Sequence, residues 1–534
     1  MNNEPELKLR EDLLNDFNSK NFSKLFKDIN KLQKKFPNSL FLLSLLGTIN
    51  NEFGNYKEAI YNFERIIKIN PKFVDAHYNM GVILKNNNQL ERSIEHFEKS
   101  IIHNPNKYEA YNNLGNIYRD KNKSELAVKN YLNSLEINPD YIIALQNFGI
   151  CLQNFEFSKY STVVEKHIIN LLNKNKILRT VDIIDNLIKF IYLDIENNST
   201  INNFGKIETQ ISLDDLIIKV LNIKILLVLF KTTPITDLKI EKIIKNLRYK
   251  ILLNFSSIKN FENALKIMRL IASQCFINEY IYPVKEEESL VINKLEKELE
   301  NNLEINNLKK YILHIACLSS YKPLATYSWS TKLQDIEEIK DLVNEQIVYP
   351  KKEFNIRKNL QSLEIKNLIS LKVKNQYENS PYPRWNKIAL INNPKTPVDF
   401  FKNLSLNINE KKIEKWENLD VLVAGCGTGQ HAITTATKYK NSFVTAIDLS
   451  AHSLSYAKRK ADELEIKNIN FIQMDLLNLK KIDKQFHIIE SVGVLHHMDK
   501  PFEGWKLLYD KLDFGGLMMI GLYSEIARKH IKTI

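Results

Sequence analysis

Proline recurs at Pro37, Pro71, Pro105 and Pro139, and glycine at Gly47, Gly81, Gly115 and Gly149, each set at intervals of 34 residues. Ala59, Ser93 and Ala127 hold a small position in the same register, and Phe63, Phe97 and Tyr131 an aromatic one. A period of this kind does not build one compact core, because each unit can bury its apolar face only against its neighbours. Each block is long enough for two antiparallel helices. The glycine and the small residue allow those helices to approach closely, and the aromatic fills the gap towards the next unit. One period upstream, Leu13, Leu25 and Ile29 stand where Gly47, Ala59 and Phe63 would, so residues 6–36 read as a degenerate first unit. Downstream the pattern decays: Ser161 keeps the small position, but Glu165 replaces the aromatic.

The array resembles the tetratricopeptide repeat, which implies an α-solenoid whose concave surface takes a protein or peptide. Asn79, Asn113 and Asn147 each stand two residues before a repeat glycine, with Asn112 beside them. On first helices facing the groove they would form a ladder able to grip an extended backbone. The alternative is that they reflect only the abundance of asparagine in this chain.

A chain of 534 residues is too long for a single core, so several domains are expected. Its 44% hydrophobic and 26% charged residues fit a soluble protein. The net charge of +12 comes from lysine spread along the chain, with no arginine-rich or aromatic-interleaved patch, so no nucleic-acid partner is expected. Cys151, Cys275, Cys317 and Cys426 form no C-x-x-C pair, which fits a reducing, cytoplasmic setting and no metal site. The greasiest run, residues 216–230, is broken by Lys219, Asn222 and Lys224. It falls short of the ~20 apolar residues a membrane span needs and reads as a buried helix.

Five segments follow from these patterns. Residues 1–36 are the degenerate unit, 37–160 the repeats, and 161–365 an all-helical connecting region without a chemical motif. Residues 366–415 contain QYENSPYPRW, a stiff extended stretch read as a lid or linker. Residues 416–534 alternate strand and helix patterns, which implies a parallel sheet. Expected strands cover 421–425, 443–448, a run ending at Asp475, 486–494 and 515–523, and Ser450 is expected to cap the helix from about 451 to 464.

The stretch VLVAGCGTGQ at 421–430 gives the last segment its chemistry. A strand runs into Gly425, Cys426, Gly427, Thr428 and Gly429, and the next strand ends at Asp448. Glycines let a backbone press against a nucleotide-like ligand, and an acid at the neighbouring strand end can accept ribose hydroxyls. A dinucleotide fingerprint would require glycine at 430, where this chain has Gln430.

With that spacing the C-terminal part resembles class I S-adenosylmethionine (SAM)-dependent methyltransferases. The added motifs YENSPYPRW, IDLS, GVLHHM and GLYSE make most of the chain similar to bacterial repeat-containing methyltransferases of poorly known substrate. The resemblance implies a Rossmann-like sheet and SAM as cofactor. It places residues 425–429 along the methionine moiety and ribose, Asp448 on the ribose hydroxyls and Leu449 beside the adenine. Asp475 and Leu476 would lie at the adenine amino group, and Glu490 and Gly493 would face the sulfonium and the acceptor. Glu490 and His496, with His497 beside it, are the candidate proton-transfer groups, and Cys426 is a small loop residue rather than a nucleophile. Tyr382, Arg384, Trp385 and Tyr523 are candidate walls of an acceptor pocket.

Two departures from the family pattern stand out. An acid usually precedes the first glycine by two residues, and Val423 occupies that place. The family sheet also closes with a hairpin of two further strands, which a chain ending at Ile534 is expected to lack. The leading expectation is methyl transfer to a protein or peptide recruited by the repeats. The alternatives are a small-molecule methyltransferase whose repeats serve assembly, a non-catalytic scaffold, and an NAD-dependent enzyme, against which Gln430 stands.

Overall fold

The computed structural model describes residues 4–19, 22–301, 308–379, 384–402, 404, 406 and 408–524. It falls into two compact units, residues 1–171 and 172–534.

The first unit is a run of paired helices: α1 (Leu7–Asn18), α2 (Phe22–Lys35), α3 (Leu40–Glu52), α4 (Tyr56–Ile69), α5 (Val74–Asn86), α6 (Leu90–His103), α7 (Tyr108–Asp120), α8 (Ser124–Ile137) and α9 (Ile142–Leu152). The repeat aromatics sit on the repeat glycines of their own pairs. A Cβ on Gly47 would lie 2.3 Å from the Phe63 ring, on Gly81 2.8 Å from Phe97, and on Gly115 2.5 Å from Tyr131. Phe63 also packs with Ala76, Met80 and Ile83 of α5, so the same ring bridges to the next pair.

The asparagine ladder is put to a different use from the one expected. Asn113 Nδ2 donates to the Tyr78 hydroxyl at 3.2 Å and the Glu109 carbonyl at 3.0 Å, while its Oδ1 accepts from Lys85 Nζ at 3.2 Å. One period later Asn147 Nδ2 donates to Asn112 Oδ1 at 2.9 Å and its Oδ1 accepts from Arg119 at 3.2 Å. The Tyr78 and Lys85 contacts of Asn113 join neighbouring repeats and its other amide hydrogen is taken within its own helix, so none is offered to a bound backbone. Asn79 is half-buried on α5.

The second unit joins a helical region to a six-stranded sheet in the order β1-β4-β3-β2-β5-β6. The strands are β1 (Gln361–Ser362), β2 (Leu419–Ala424), β3 (Ser442–Asp448), β4 (Ile469–Gln473), β5 (Phe486–Val492) and β6 (Leu512–Gly521), and every pairing is parallel. Alternation along the strands feeds two cores. Val421, Val423, Val444, Ala446, Phe471 and Ile488 point to one face, and Leu422, Ala424, Ile447, Ile472 and Ile489 to the other.

Two expectations change here. The apolar run at 216–230 is split between the helices Leu213–Leu221 and Lys224–Leu229, because Asn222 and Ile223 interrupt it. Leu216, Ile217, Val220, Ile225, Leu226 and Leu229 are nonetheless buried, as expected. The region read as all-helical up to residue 365 contributes β1, whose Gln361 and Ser362 pair with Ile472 and Gln473. Among the described residues no helix is long and apolar enough to cross a membrane.

Candidate functional site

The turn after β2 is built from left-handed glycines. Gly425, Gly427 and Gly429 have φ of +75°, +52° and +82°, values that strain other L-residues. Their neighbours differ. A Cβ on Gly425 would lie 2.2 Å from Val494, and one on Gly429 2.4 Å from the Ala457 Cβ, whereas at Gly427 nothing lies within 4 Å. Gly425 and Gly429 thus serve close packing, and Gly427 leaves backbone bare. The amides of Gly425 and Cys426 both donate to the Ile447 carbonyl, at 2.8 and 3.0 Å, which ties the turn to β3.

Asp448 ends β3 beside that turn. Its Oδ2 accepts the Gly427 amide at 2.8 Å and its Oδ1 the Ser450 amide at 2.9 Å. Burial pushes its carboxyl above the usual range, against the opposing pull of the Ser450, Gly427 and Leu449 amides. Ser450 caps the helix Ala451–Glu463 by accepting the Ser453 amide, the role expected of it. β4 stops at Gln473 rather than at Asp475, which follows it by two residues and accepts the Leu477 amide at 3.0 Å, capping a short 3₁₀ turn.

A cavity of about 750 Å³ opens over the carboxyl ends of the strands. It gathers Gly425, Cys426, Gly427, Thr428, Asp448, Leu449, Asp475, Leu476, Gly493 and Tyr523 of the expected residues. The Cys426 thiol lies in the loop, pushed well up by burial, which suits a packing role rather than a nucleophilic one.

Other expected residues lie elsewhere. Gly429 does not line the cavity and instead seats the helix Gln430–Ala436 against Ala457. Glu490, expected to face the sulfonium and the acceptor, is also outside the lining and 1% exposed. It accepts from Thr435 Oγ1 at 2.6 Å, pairs with Lys438 Nζ at 3.1 Å and meets His431 Nε2 at 2.8 Å. Burial pushes its carboxyl up, but the contacts from His431, Lys438 and Thr435 outweigh this and hold it at about 2.

His496 stacks on Tyr523 with ring centroids 3.9 Å apart, and its neighbour His497 takes the cavity-facing place. Tyr382 lies outside the described residues. Arg384 points away from the cavity, paired with Glu279 at 2.5 Å over the Phe276 ring. Trp385 is a brace rather than a wall: its Nε1 donates to the Thr428 carbonyl at 2.9 Å, and its own carbonyl accepts from Tyr456 OH at 2.5 Å.

Part of the wall comes from residues not expected there. The helix Leu368–Asn379 contributes Ser370, Val373 and Tyr377, with Asn367 just before it and Arg179 from the helical region. This wall helix is tied to the helix after β3, because Glu378 Oε1 accepts the Ala451 amide at 2.7 Å and Ser450 Oγ donates to the Tyr377 carbonyl at 3.2 Å. Tyr377 and Glu378 belong to QYENSPYPRW, so the signal lay in that stretch but upstream of the residues singled out. Among the described residues, no group of three or more His, Cys, Asp or Glu side chains is placed to hold a metal ion.

Comparison with known proteins bears on both parts of the chain. Residues 421–516 match the methyltransferase domain, residues 74–105 and 108–141 the tetratricopeptide repeat, and residues 49–88 the TPR repeat. The chain is similar to a malonyl-[acyl-carrier protein] O-methyltransferase 1 of Ilyobacter polytropus, 30% identical over 20% of this chain and 38% of that one. It is also similar to an (S)-tetrahydroprotoberberine N-methyltransferase of Eschscholzia californica, 35% identical over 15% of this chain and 22% of that one. The matches span only 22% to 38% of the length of these curated relatives. A solved SAM-dependent methyltransferase from Geobacter sulfurreducens, in complex with S-adenosyl-L-homocysteine, aligns with 24% of this chain and 49% of that one at 26% identity. The TM-score of that alignment is 0.19. Repeats and strand–turn–helix pattern therefore have the same assignment from geometry and from comparison: the chain carries tetratricopeptide repeats followed by a methyltransferase domain.

Proposed function

We propose that the chain is a SAM-dependent methyltransferase acting on a protein or peptide recruited by its repeats. The observation that carries this reading is the cavity in which the bare turn at Gly427 and the Asp448 carboxylate lie side by side. A turn without side chains accepts close approach of a nucleoside ligand, and a carboxylate next to it accepts ribose hydroxyls. The donor set fits the cofactor, which supplies a methyl carbon already activated by a sulfonium.

The chain's own task is then positioning and exclusion of water. Residues 425–428 and Asp448 would hold the nucleoside side, and Asp475, Leu449 and Leu476 the adenine side. Tyr377, His497 and Tyr523 line the same cavity and would bound the acceptor. Alignment of the reacting atoms carries most of such a reaction, with proton removal only where the acceptor demands it. The repeats would bring the acceptor on the concave surface that such an array presents.

The test uses the full chain. Calorimetry with S-adenosylhomocysteine and with NADH is expected to show binding of the first alone. Labelled methyl groups from SAM are expected to appear on lysate proteins. Binding of NADH in place of the adenosyl ligand overturns the reading, and label confined to small molecules overturns its protein acceptor.

A further inference from the structure

We propose that the helix pair α5–α6 carries a proton-sensitive joint, in which the contact between His77 and His96 holds one end of the pair closed near neutral pH and releases it on acidification. The joint belongs to the repeats and does not depend on the methyl-transfer reading.

Geometry fixes where the hydrogens sit. His77 Nε2 lies 2.9 Å from the Pro71 carbonyl, which can only accept, so that nitrogen carries the hydrogen. In the neutral ring Nδ1 is then an acceptor, and it faces His96 Nδ1 at 3.1 Å. His96 therefore donates from Nδ1, the opposite tautomer. A proton added at His77 Nδ1 sets two N–H groups head-on across that gap, and the contact is lost.

The charged groups that act on the two rings are basic. They are Lys99 and Arg92 of α6, and His103 at its end, whose ring centroid is 5.7 Å from that of His77. Arg92 in turn lies 3.9 Å from Glu64 of α4. Burial first, and then these charges, lower both rings, His96 to about 4, while the bond to Pro71 opposes the shift at His77. The closed pair thus takes up fewer protons than separated rings, whose ordinary value is 6.5. Its stability is full above 6.5 and falls as pH drops from there towards 4.

The position of the joint gives that change a consequence. Tyr78, next to His77, accepts from Asn113 of α7, and Lys85 of the same helix donates to Asn113. The helix that acid loosens is therefore the one that links this repeat to the next. Farther along, Phe97 seated on Gly81 and Ser93 Oγ on the Gly81 carbonyl at 2.6 Å clasp the pair without a titratable group. Acid then frees one end of the pair rather than unfolding it.

The test follows amide hydrogen exchange of the full chain by mass spectrometry. Peptides of α5 and α6 are read against those of α7 and α8 in the same sample, so that the intrinsic effect of pH cancels. Between about pH 7.5 and about pH 5 the relative protection of α5–α6 is expected to fall about tenfold or more. In His96→Asn, whose amide can turn either its hydrogen or its oxygen to His77, it is expected to stay within about twofold. NMR of the histidine-labelled wild-type chain reads the joint without a variant: near neutral pH one ring must carry its hydrogen on Nδ1. Relative protection that ignores pH in the wild type, an equal fall in His96→Asn, or spectra in which every ring carries its hydrogen on Nε2 overturns the inference.

Discussion

Asp448 clasps the backbone of Gly427: its Oδ2 accepts that amide at 2.8 Å, while Oδ1 is taken by the Ser450 amide at 2.9 Å. The same carboxylate therefore shapes the turn and faces the cavity. Removing it deprives two amides of an ionised acceptor, each such bond being worth about 1.5–3 kcal/mol. Asp448→Ala is expected to weaken S-adenosylhomocysteine binding about a hundredfold in calorimetry. An affinity within twofold of wild type would sink the ribose assignment.

Glu490 gives a pH signature. Its carboxyl is held at about 2, below its ordinary value of 4.5, so the stabilisation it contributes is present above 4.5 and is lost as pH falls through about 2. The shift corresponds to about 3 kcal/mol at pH 7 and about half of that at pH 3. Urea denaturation should find Glu490→Gln less stable than wild type by about that amount at pH 7, with the gap halved at pH 3. A gap that does not depend on pH would show that the ion cluster is not its source.

Gly429 and Ala457 form a coupled pair. Gly429→Ala would put a Cβ 2.4 Å from the Ala457 Cβ at a φ of +82°. Left-handed strain and overpacking together should cost about 3 kcal/mol. Adding Ala457→Gly relieves only the overpacking, so a double-mutant cycle by thermal denaturation should return a coupling of about 1–2 kcal/mol. Strict additivity would contradict the contact.

Trp385→Phe keeps an apolar ring but removes the Nε1 donor to the Thr428 carbonyl. One neutral hydrogen bond of about 1 kcal/mol is lost. Ligand affinity should drop roughly fivefold with only a small change in melting temperature, read by calorimetry and circular dichroism. An unchanged affinity would show that the Nε1 bond does not brace the loop.

Local chemistry made much of the fold legible. Repeat glycines and aromatics advertise themselves at a fixed period because each pair must seat a ring on a glycine, as Phe63 sits on Gly47. Strand, glycine turn, capping Ser450 and terminal Asp448 are contiguous, so their relation is written in one stretch. What stayed hidden depends on distant partners. Glu490 lies near the end of a strand that points at the cavity edge, yet His431, Thr435 and Lys438 draw its side chain back under the neighbouring helix. Arg384 is claimed by Glu279, more than a hundred residues earlier. Tyr377 lies in QYENSPYPRW, which reads as extended, yet residues 376–379 close a helix, and docking on Ser450 makes Tyr377 a wall.

The strand Gln361–Ser362, the helix carrying Tyr377 and the Trp385 brace all precede the first glycine of the turn, yet each is built into the sheet or the chamber above it. A cassette excised where the strand pattern starts, near residue 419, would carry the glycine turn but leave behind an edge, a wall and a strut. Grafts and minimal fragments of this half must therefore start upstream of residue 361, or they will present an open platform in place of a walled cavity.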